Sequence, residues 1–167
     1  MIVSKFGGSC LSDQKSIHTV AKKIYNAFRN NEQPVIVVSA LRGETSYLVD
    51  LVGRVVSDVA HECEDFMRER DLVISAGEQV SAGLLSLAVR EYGLKAKAYT
   101  AWQLGLRYNS NTSSLYHMDY ASILKQEINQ GTVPIITGFQ ALNEQGELMT
   151  LGRNTSDLSA MCIANLL

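Results

Sequence analysis

Two runs constrain the fold of this chain more than any other feature: Val35-Ile36-Val37-Val38-Ser39-Ala40 and Val133-Pro134-Ile135-Ile136-Thr137-Gly138-Phe139. Each is short and apolar at successive positions, so neither face of the strand it forms can face water. Such runs suit central parallel strands covered by helices on both sides. The segments around them read as helices, which makes the chain an alternation of strand and helix. That alternation predicts an α/β fold, a three-layer αβα sandwich around a mainly parallel sheet, with ligands bound beyond the carboxyl ends of the strands.

The first strand carries the first candidate site. Met1-Ile2-Val3 passes through Ser4-Lys5-Phe6 into Gly7-Gly8-Ser9. Adjacent glycines can adopt φ > 0 and let backbone N–H groups approach an anion, and the lysine just before them supplies a compact positive charge, which suits a nucleotide's phosphates. The plainer alternative is a Gly-Gly turn beside a solvated lysine. Ser12 or Asp13 then caps a helix to about Asn30, with Ile17, Val20, Ala21, Ile24, Ala27 and Phe28 at helical spacing. The strand from Val35 ends at a loop, Leu41 to Thr45, and helical spacing returns from Ser46 to about Val59.

Asp65 to Tyr92 reads as one long helical region closed by Gly93, with Gly77-Glu78 in its middle. A mid-helix glycine beside a charge suggests a bend, and on pattern alone Glu78 is a surface residue capping the second half of a broken helix. Lys95 to Thr100 reads as a strand, Arg107 to His117 as a polar surface loop, Asp119 to Gln130 as a helix, and Asn143 to Gly146 as a hairpin turn. Near the end, Arg153 could hold a carboxylate bidentately, and Ser156 or Asp157 opens an apolar helix whose N-terminus attracts anions. An ordinary N-cap with a surface arginine accounts for the same residues.

Length and composition set bounds. A chain of 167 residues, 46 % hydrophobic and 19 % charged, suits a single domain that buries a core. No uninterrupted apolar run approaches the roughly 20 residues that span a bilayer, and the start lacks a basic region ahead of an apolar one, so a soluble cytoplasmic protein without membrane contact is expected. Fifteen basic against 17 acidic residues leave a net charge of −2 and no field for nucleic acid. Cys10, Cys63 and Cys162, like His18, His61 and His117, are scattered and predict neither a disulfide framework nor a metal site.

In order along the chain, Lys5-Phe6-Gly7-Gly8-Ser9, Val38-Ser39-Ala40 with Thr45, Ser75-Ala76-Gly77-Glu78, Gly138-Phe139-Gln140 and Leu151-Gly152-Arg153-Asn154-Thr155-Ser156-Asp157 resemble the motifs of the aspartate kinases, members of the amino-acid kinase superfamily. The resemblance implies phosphorylation of the side-chain carboxylate of L-aspartate by Mg-ATP, in the route to lysine, threonine and methionine. It implies that Lys5 and Asp157 are catalytic, that Lys5, Gly7, Gly8 and Ser9 surround the ATP phosphates, and that Ser39, Thr45, Glu78, Arg153, Ser156 and Asp157 hold the amino acid. It thereby reassigns Glu78 and Arg153 from surface to site. The family's following segment, which builds the adenine and ribose site, and its regulatory ACT domains have no counterpart among these residues. The resemblance therefore implies an amino-acid-binding part that needs a nucleotide-binding half for turnover, and an oligomer, of like or unlike chains, that covers an exposed sheet edge. A catalytically inactive amino-acid-binding or regulatory partner and a ligand-free structural subunit are the alternatives. Asn154 and Thr155 stand where the family pattern has two glycines; relaxation of that turn onto another backbone path is expected.

Overall fold

The computed structural model describes residues 1–56, 64–117, 121–152 and 154–167. Its main sheet has the order β1-β2-β6-β3, from Ile2–Phe6, Pro34–Val38, Thr132–Thr137 and Lys95–Tyr99, and every neighbouring pair is parallel. All five residues of β2 are buried, as its two-sided apolar run requires. Alternation distributes them: Ile36 and Val38 enter a cluster with Val20, Ile24, Leu85 and Val89, while Val35 and Val37 enter a second cluster with Leu124, Ile128 and Ile163. The first cluster belongs to α1 (Gln14–Arg29) and α3 (Glu64–Glu91), the second to α4 (Ala121–Asn129) and α5 (Ser156–Leu166). The sheet is thus sandwiched between two helix layers.

Local signals behave as their chemistry dictates. Asp13 caps α1 by accepting from the Ser16 N–H at 2.7 Å, and Ser16 reciprocates by accepting from the Asp13 N–H at 2.9 Å. Helix α2 (Glu44–Val55) starts two residues earlier than the spacing predicts, behind Gly43 at φ +84°.

Two expectations are corrected. Residues 107–117 are not a surface loop: β4 (Leu106–Asn109) and β5 (Ser114–His117) form an antiparallel hairpin. Its turn is closed by Asn109 Oδ1, which accepts from the Thr112 N–H at 3.0 Å, with Ser113 at φ +49°. Strand β4 also pairs with β7 (Gln140–Leu142), which pairs with β8 (Leu148–Thr150) across the expected hairpin turn, so a second sheet of order β5-β4-β7-β8 stands beside the first. These non-local partners supply the stability that the polar segment itself does not advertise.

The second correction concerns α3, which runs without a break through Gly77-Glu78. The glycine serves close approach, since a Cβ there lies 2.9 Å from the Ala40 Cβ. By length and composition Phe66–Glu91 could cross a bilayer, yet 56 % of its most apolar window is buried in the fold, as befits a core helix.

Candidate active site

At the carboxyl ends of β1, β2 and β6 a cavity of about 420 Å³ opens, lined among others by Lys5, Gly8, Ser39, Thr45, Glu78 and Ser156. Strand β1 delivers Lys5 to this mouth, and its ammonium meets Asp157 Oδ1 at 3.1 Å on the first turn of α5. Gly7 leaves the lysine room: a Cβ there approaches Nζ to 3.4 Å. Gly8 packs closer still, since a Cβ at its position lies 2.9 Å from the Ala40 carbonyl. The loop forms a 3-10 turn, Gly8–Cys10, in which the Cys10 N–H donates to the Gly7 carbonyl at 2.8 Å. The N–H groups of Gly8 and Ser9 have no protein acceptor among the described residues, the arrangement an anion needs.

The amino-acid side of the cavity is built where three segments converge. Gly138 brings β6 against α5 so tightly that a Cβ on it would lie 2.7 Å from the Ser156 Cβ. Ser39 Oγ donates to Ser156 Oγ at 3.0 Å, which ties the end of β2 to the start of α5. Glu78 enters from α3 and is 2 % exposed, so the surface reading of this residue is overturned. Its Oε1 accepts from the Ala40 N–H at 2.9 Å, while its buried Oε2 has no hydrogen-bond partner. Burial is the main cause that pushes its pKa up to about 7, against the opposing pull of the Ala40 N–H and, more weakly, of its own backbone N–H and the nearby Gln140 side-chain amide. Gly77 makes this possible, because it lets α3 approach the Ala40 turn closely enough for the next residue to reach that amide.

Of the residues singled out from the sequence, Lys5, Gly7, Gly8, Ser9, Ser39, Thr45, Glu78 and Ser156 line one cavity, and Asp157 joins it through Lys5. Arg153 lies outside the described residues. Sequence reasoning missed Arg42, Phe139 and Asn154 as lining residues. Arg42 had a usable signal: a cation at the end of a buried strand, just before a glycine, in a loop beside a candidate phosphate site. Phe139 lay within a motif but carried no role there, and its φ of +68° shows only in three dimensions.

The turn before α5 corrects one expectation in part. Thr155 sits at φ −88°, an ordinary conformation, so relaxation holds there; Asn154 keeps a left-handed φ of +67° and a glycine-like path. Asparagine tolerates that region better than other side chains with a Cβ.

Known proteins match this chain in sequence and in fold. The model of the amino acid kinase family matches residues 1–167. An aspartokinase from Rickettsia felis is 38% identical over 165 residues, which cover 98% of this chain and 40% of that protein. One from Bacillus sp. (strain MGA3) is 36% identical over 166 residues, 98% of this chain and 39% of that protein. Among solved structures, aspartate kinase from Synechocystis superposes with a TM-score of 0.79 at 33% identity, covering 97% of this chain and 26% of that one. E. coli aspartokinase III in complex with aspartate and ADP shares the fold, with a TM-score of 0.76 at 22% identity. This chain spans about two-fifths of the length of the curated relatives named here. With the family model matched from end to end, the chain belongs to the amino acid kinase family.

Proposed function

We propose that this chain forms the amino-acid-binding and phosphate-facing part of an aspartokinase-type phosphotransferase, in which the side-chain carboxylate of L-aspartate attacks the terminal phosphorus of ATP, the bond from that phosphorus to the bridging oxygen breaks, and ADP leaves as the acyl phosphate forms. The observation that carries the reading is Glu78: a carboxylate 2 % exposed in the cavity lining, with one oxygen paired to a backbone N–H and the other buried without a hydrogen-bond partner. A buried anionic oxygen without a donor is a large penalty unless a ligand supplies one, and an α-ammonium group is a fitting cation for it. Lys5 and the free Gly8 and Ser9 amides fit the phosphate end. Arg42 adds a second cation beside that loop. Phosphoryl transfer asks for this kind of positioning and charge neutralisation.

In this reading Lys5 neutralises charge on the transferring group, Asp157 holds the Lys5 ammonium in place, and Thr45, Ser39 and Ser156 orient the amino acid. Arg153, by the motif it belongs to, takes a carboxylate of the substrate. Mg-ATP is the co-substrate, and Lys5, Gly7, Gly8 and Ser9 are the residues that would meet its phosphates. Turnover, by the same proposal, needs the remainder of such a kinase in the same chain or another, and the chain alone binds without phosphorylating.

Calorimetry with L-aspartate, with and without Mg-ATP, tests this. Binding should be saturable, and Arg153→Ala should weaken it by roughly 1.5–3 kcal/mol through loss of a charge-assisted pair. Absence of binding in the parent, or an unchanged affinity in the variant, would sink the assignment; robust turnover by the chain alone would sink the claim that it needs completion.

A further inference from the structure

The strand that follows β6 brings a fully buried polar side chain to the helix that carries Glu78. Gln140, 0% exposed, opens β7 opposite Thr150 of β8. Its Nε2 donates to the Ser75 carbonyl at 2.8 Å, three residues before Glu78 on α3. Thr150 meanwhile holds Asp71, so the β7–β8 hairpin grips α3 at two places. At the other end of the amide, Oε1 accepts from the Thr137 hydroxyl at 3.2 Å, and Thr137 Oγ1 itself accepts from the Ala101 N–H at 2.9 Å.

These partners fix which way the amide points. A carbonyl can only accept, so Ser75 takes the nitrogen end; Thr137 already accepts from Ala101 and gives its one proton to the oxygen end. Of the two N–H groups on Nε2, one is spent on Ser75, and the second has no acceptor among the described residues other than Glu78, on whose carboxyl it exerts a downward pull. Glu78 Oε2 is buried without a hydrogen-bond partner. A spare donor and a spare acceptor thus occupy the same buried place. The charged groups on the other elements around Glu78 are Lys5 on β1, Arg42 and Glu44 about the start of α2, and Asp157 on α5. Lys5 is turned to Asp157, and burial with three amides sets the Glu78 pKa, no charged group among the described residues contributing.

We propose that Gln140 is a positioning residue for Glu78: its spare N–H is the donor that Oε2 takes up when the carboxyl ionises, and it holds the carboxylate in place at the cavity. A protonated Oε2 carries its own hydrogen and has little use for an N–H; the ionised oxygen has room for the amide and an ammonium together. The consequence for L-aspartate rests on the reading of the cavity as an amino-acid site, whereas the titration of Glu78 itself does not.

Carbon-13 NMR titration of Glu78 in the ligand-free chain, with its carboxyl signal assigned by its loss in Glu78→Gln, tests this. In Gln140→Met, of similar length and without donors, the midpoint should rise by about one pH unit, the scale of one hydrogen bond to a charged group. Thr137→Val frees the oxygen end of the amide and should give a smaller rise, which decides the matter if Gln140→Met does not fold. Thr150→Val loosens the same hairpin at Asp71 and should lower the melting temperature with the midpoint in place. A midpoint unmoved in the amide variants overturns the proposal. An equal rise in Thr150→Val overturns it too, because the general hold of the hairpin on α3 would then be the cause. By calorimetry, the affinity of Gln140→Met for L-aspartate should fall about tenfold at pH 6 and nearly match that of the parent at pH 9. If the parent binds no L-aspartate while the midpoint moves, the amino-acid reading of the cavity falls and the role of Gln140 stands.

Discussion

Asp71 and Glu78 lie seven residues apart on α3, both buried, at 6% and 2% exposure, and their surroundings differ in kind. Asp71 Oδ2 accepts from the Thr150 N–H at 2.7 Å, and its Oδ1 accepts from the Thr150 hydroxyl at 2.9 Å and from the Arg70 guanidinium at 3.3 Å. It is a joint between α3 and the second sheet, and it leads directly into the turn before α5. Glu78 has one partner and one bare oxygen. A carboxylate with both oxygens engaged holds the structure; a carboxylate left half-paired beside a cavity makes the fold less stable, and in the proposed reading that unpaired oxygen is what receives the ligand.

The largest effect should come from breaking the joint. Asp71→Ala strips the Thr150 donors of their acceptor and should destabilise by about 3–5 kcal/mol, the scale for removing one partner of a buried charged network. For a chain of this length that lowers the melting temperature by about 10 °C, measurable by differential scanning calorimetry. A shift of only a degree or two would show that β8 is held by pairing with β7 alone.

Next is the pH dependence of Glu78. Its folded pKa, about 7, lies above the ordinary 4.5, so the folded state binds more protons than the unfolded state between those values. Its contribution to stability is full below about pH 4.5 and lost as pH rises through 7, by about 3 kcal/mol. Ligand binding runs the opposite way, because an ammonium prefers the ionised carboxylate. Affinity for L-aspartate should rise with pH below 7, approaching tenfold per unit, and level off above it. Chemical denaturation and calorimetry across pH 5–8 read the two slopes; parallel slopes would break the contrast.

Glu78→Gln sharpens the same point with a smaller stability change. The amide keeps an acceptor for the Ala40 N–H without the buried charge, so the variant should gain about 1–2 kcal/mol at pH 8 while losing at least tenfold in affinity. Loss on both counts would make Glu78 a joint like Asp71. Gly77→Ala should then cost about 1 kcal/mol net, since crowding against Ala40 outweighs the gain in helix propensity, and should weaken ligand binding by displacing the Ala40 amide. The smallest effects belong to the turn before α5. Thr155→Gly, at an ordinary φ, should destabilise by about 0.5–1 kcal/mol through the entropy of the unfolded chain. Asn154→Gly should change the melting temperature little, because relief of a left-handed φ offsets that entropy. A clear stabilisation by the second change would mean the asparagine is strained.

Much of this was legible because it is local. Two-sided apolar runs named β2 and β6, Ser12-Asp13 marked the start of α1, and the glycine pair after Lys5 marked the turn at the end of β1; each depends on residues adjacent in sequence. The hairpin of residues 107–117 was not legible, since it is polar and β4 is also held from its other side by β7, some 30 residues on. Helix α3 hid Glu78 for a different reason. It is apolar on its inner face and on much of its outer face, so periodicity assigned no solvent side and the glutamate read as exposed by default.

Sequence by itself thus determined the alternation of strands and helices, the strand-end position of the loops and the identity of the charged groups near them, because propensity, capping and two-residue or four-residue periodicity act over a few positions. Only tertiary structure decided what those groups do. Glu78 meets an amide 38 residues away, Asp71 a threonine 79 away, and Ser39 a serine 117 away. Partner, dielectric and free valence are properties of what folding brings alongside, and the same carboxylate chemistry becomes a joint or a half-paired, destabilising group according to whether its second oxygen finds a donor.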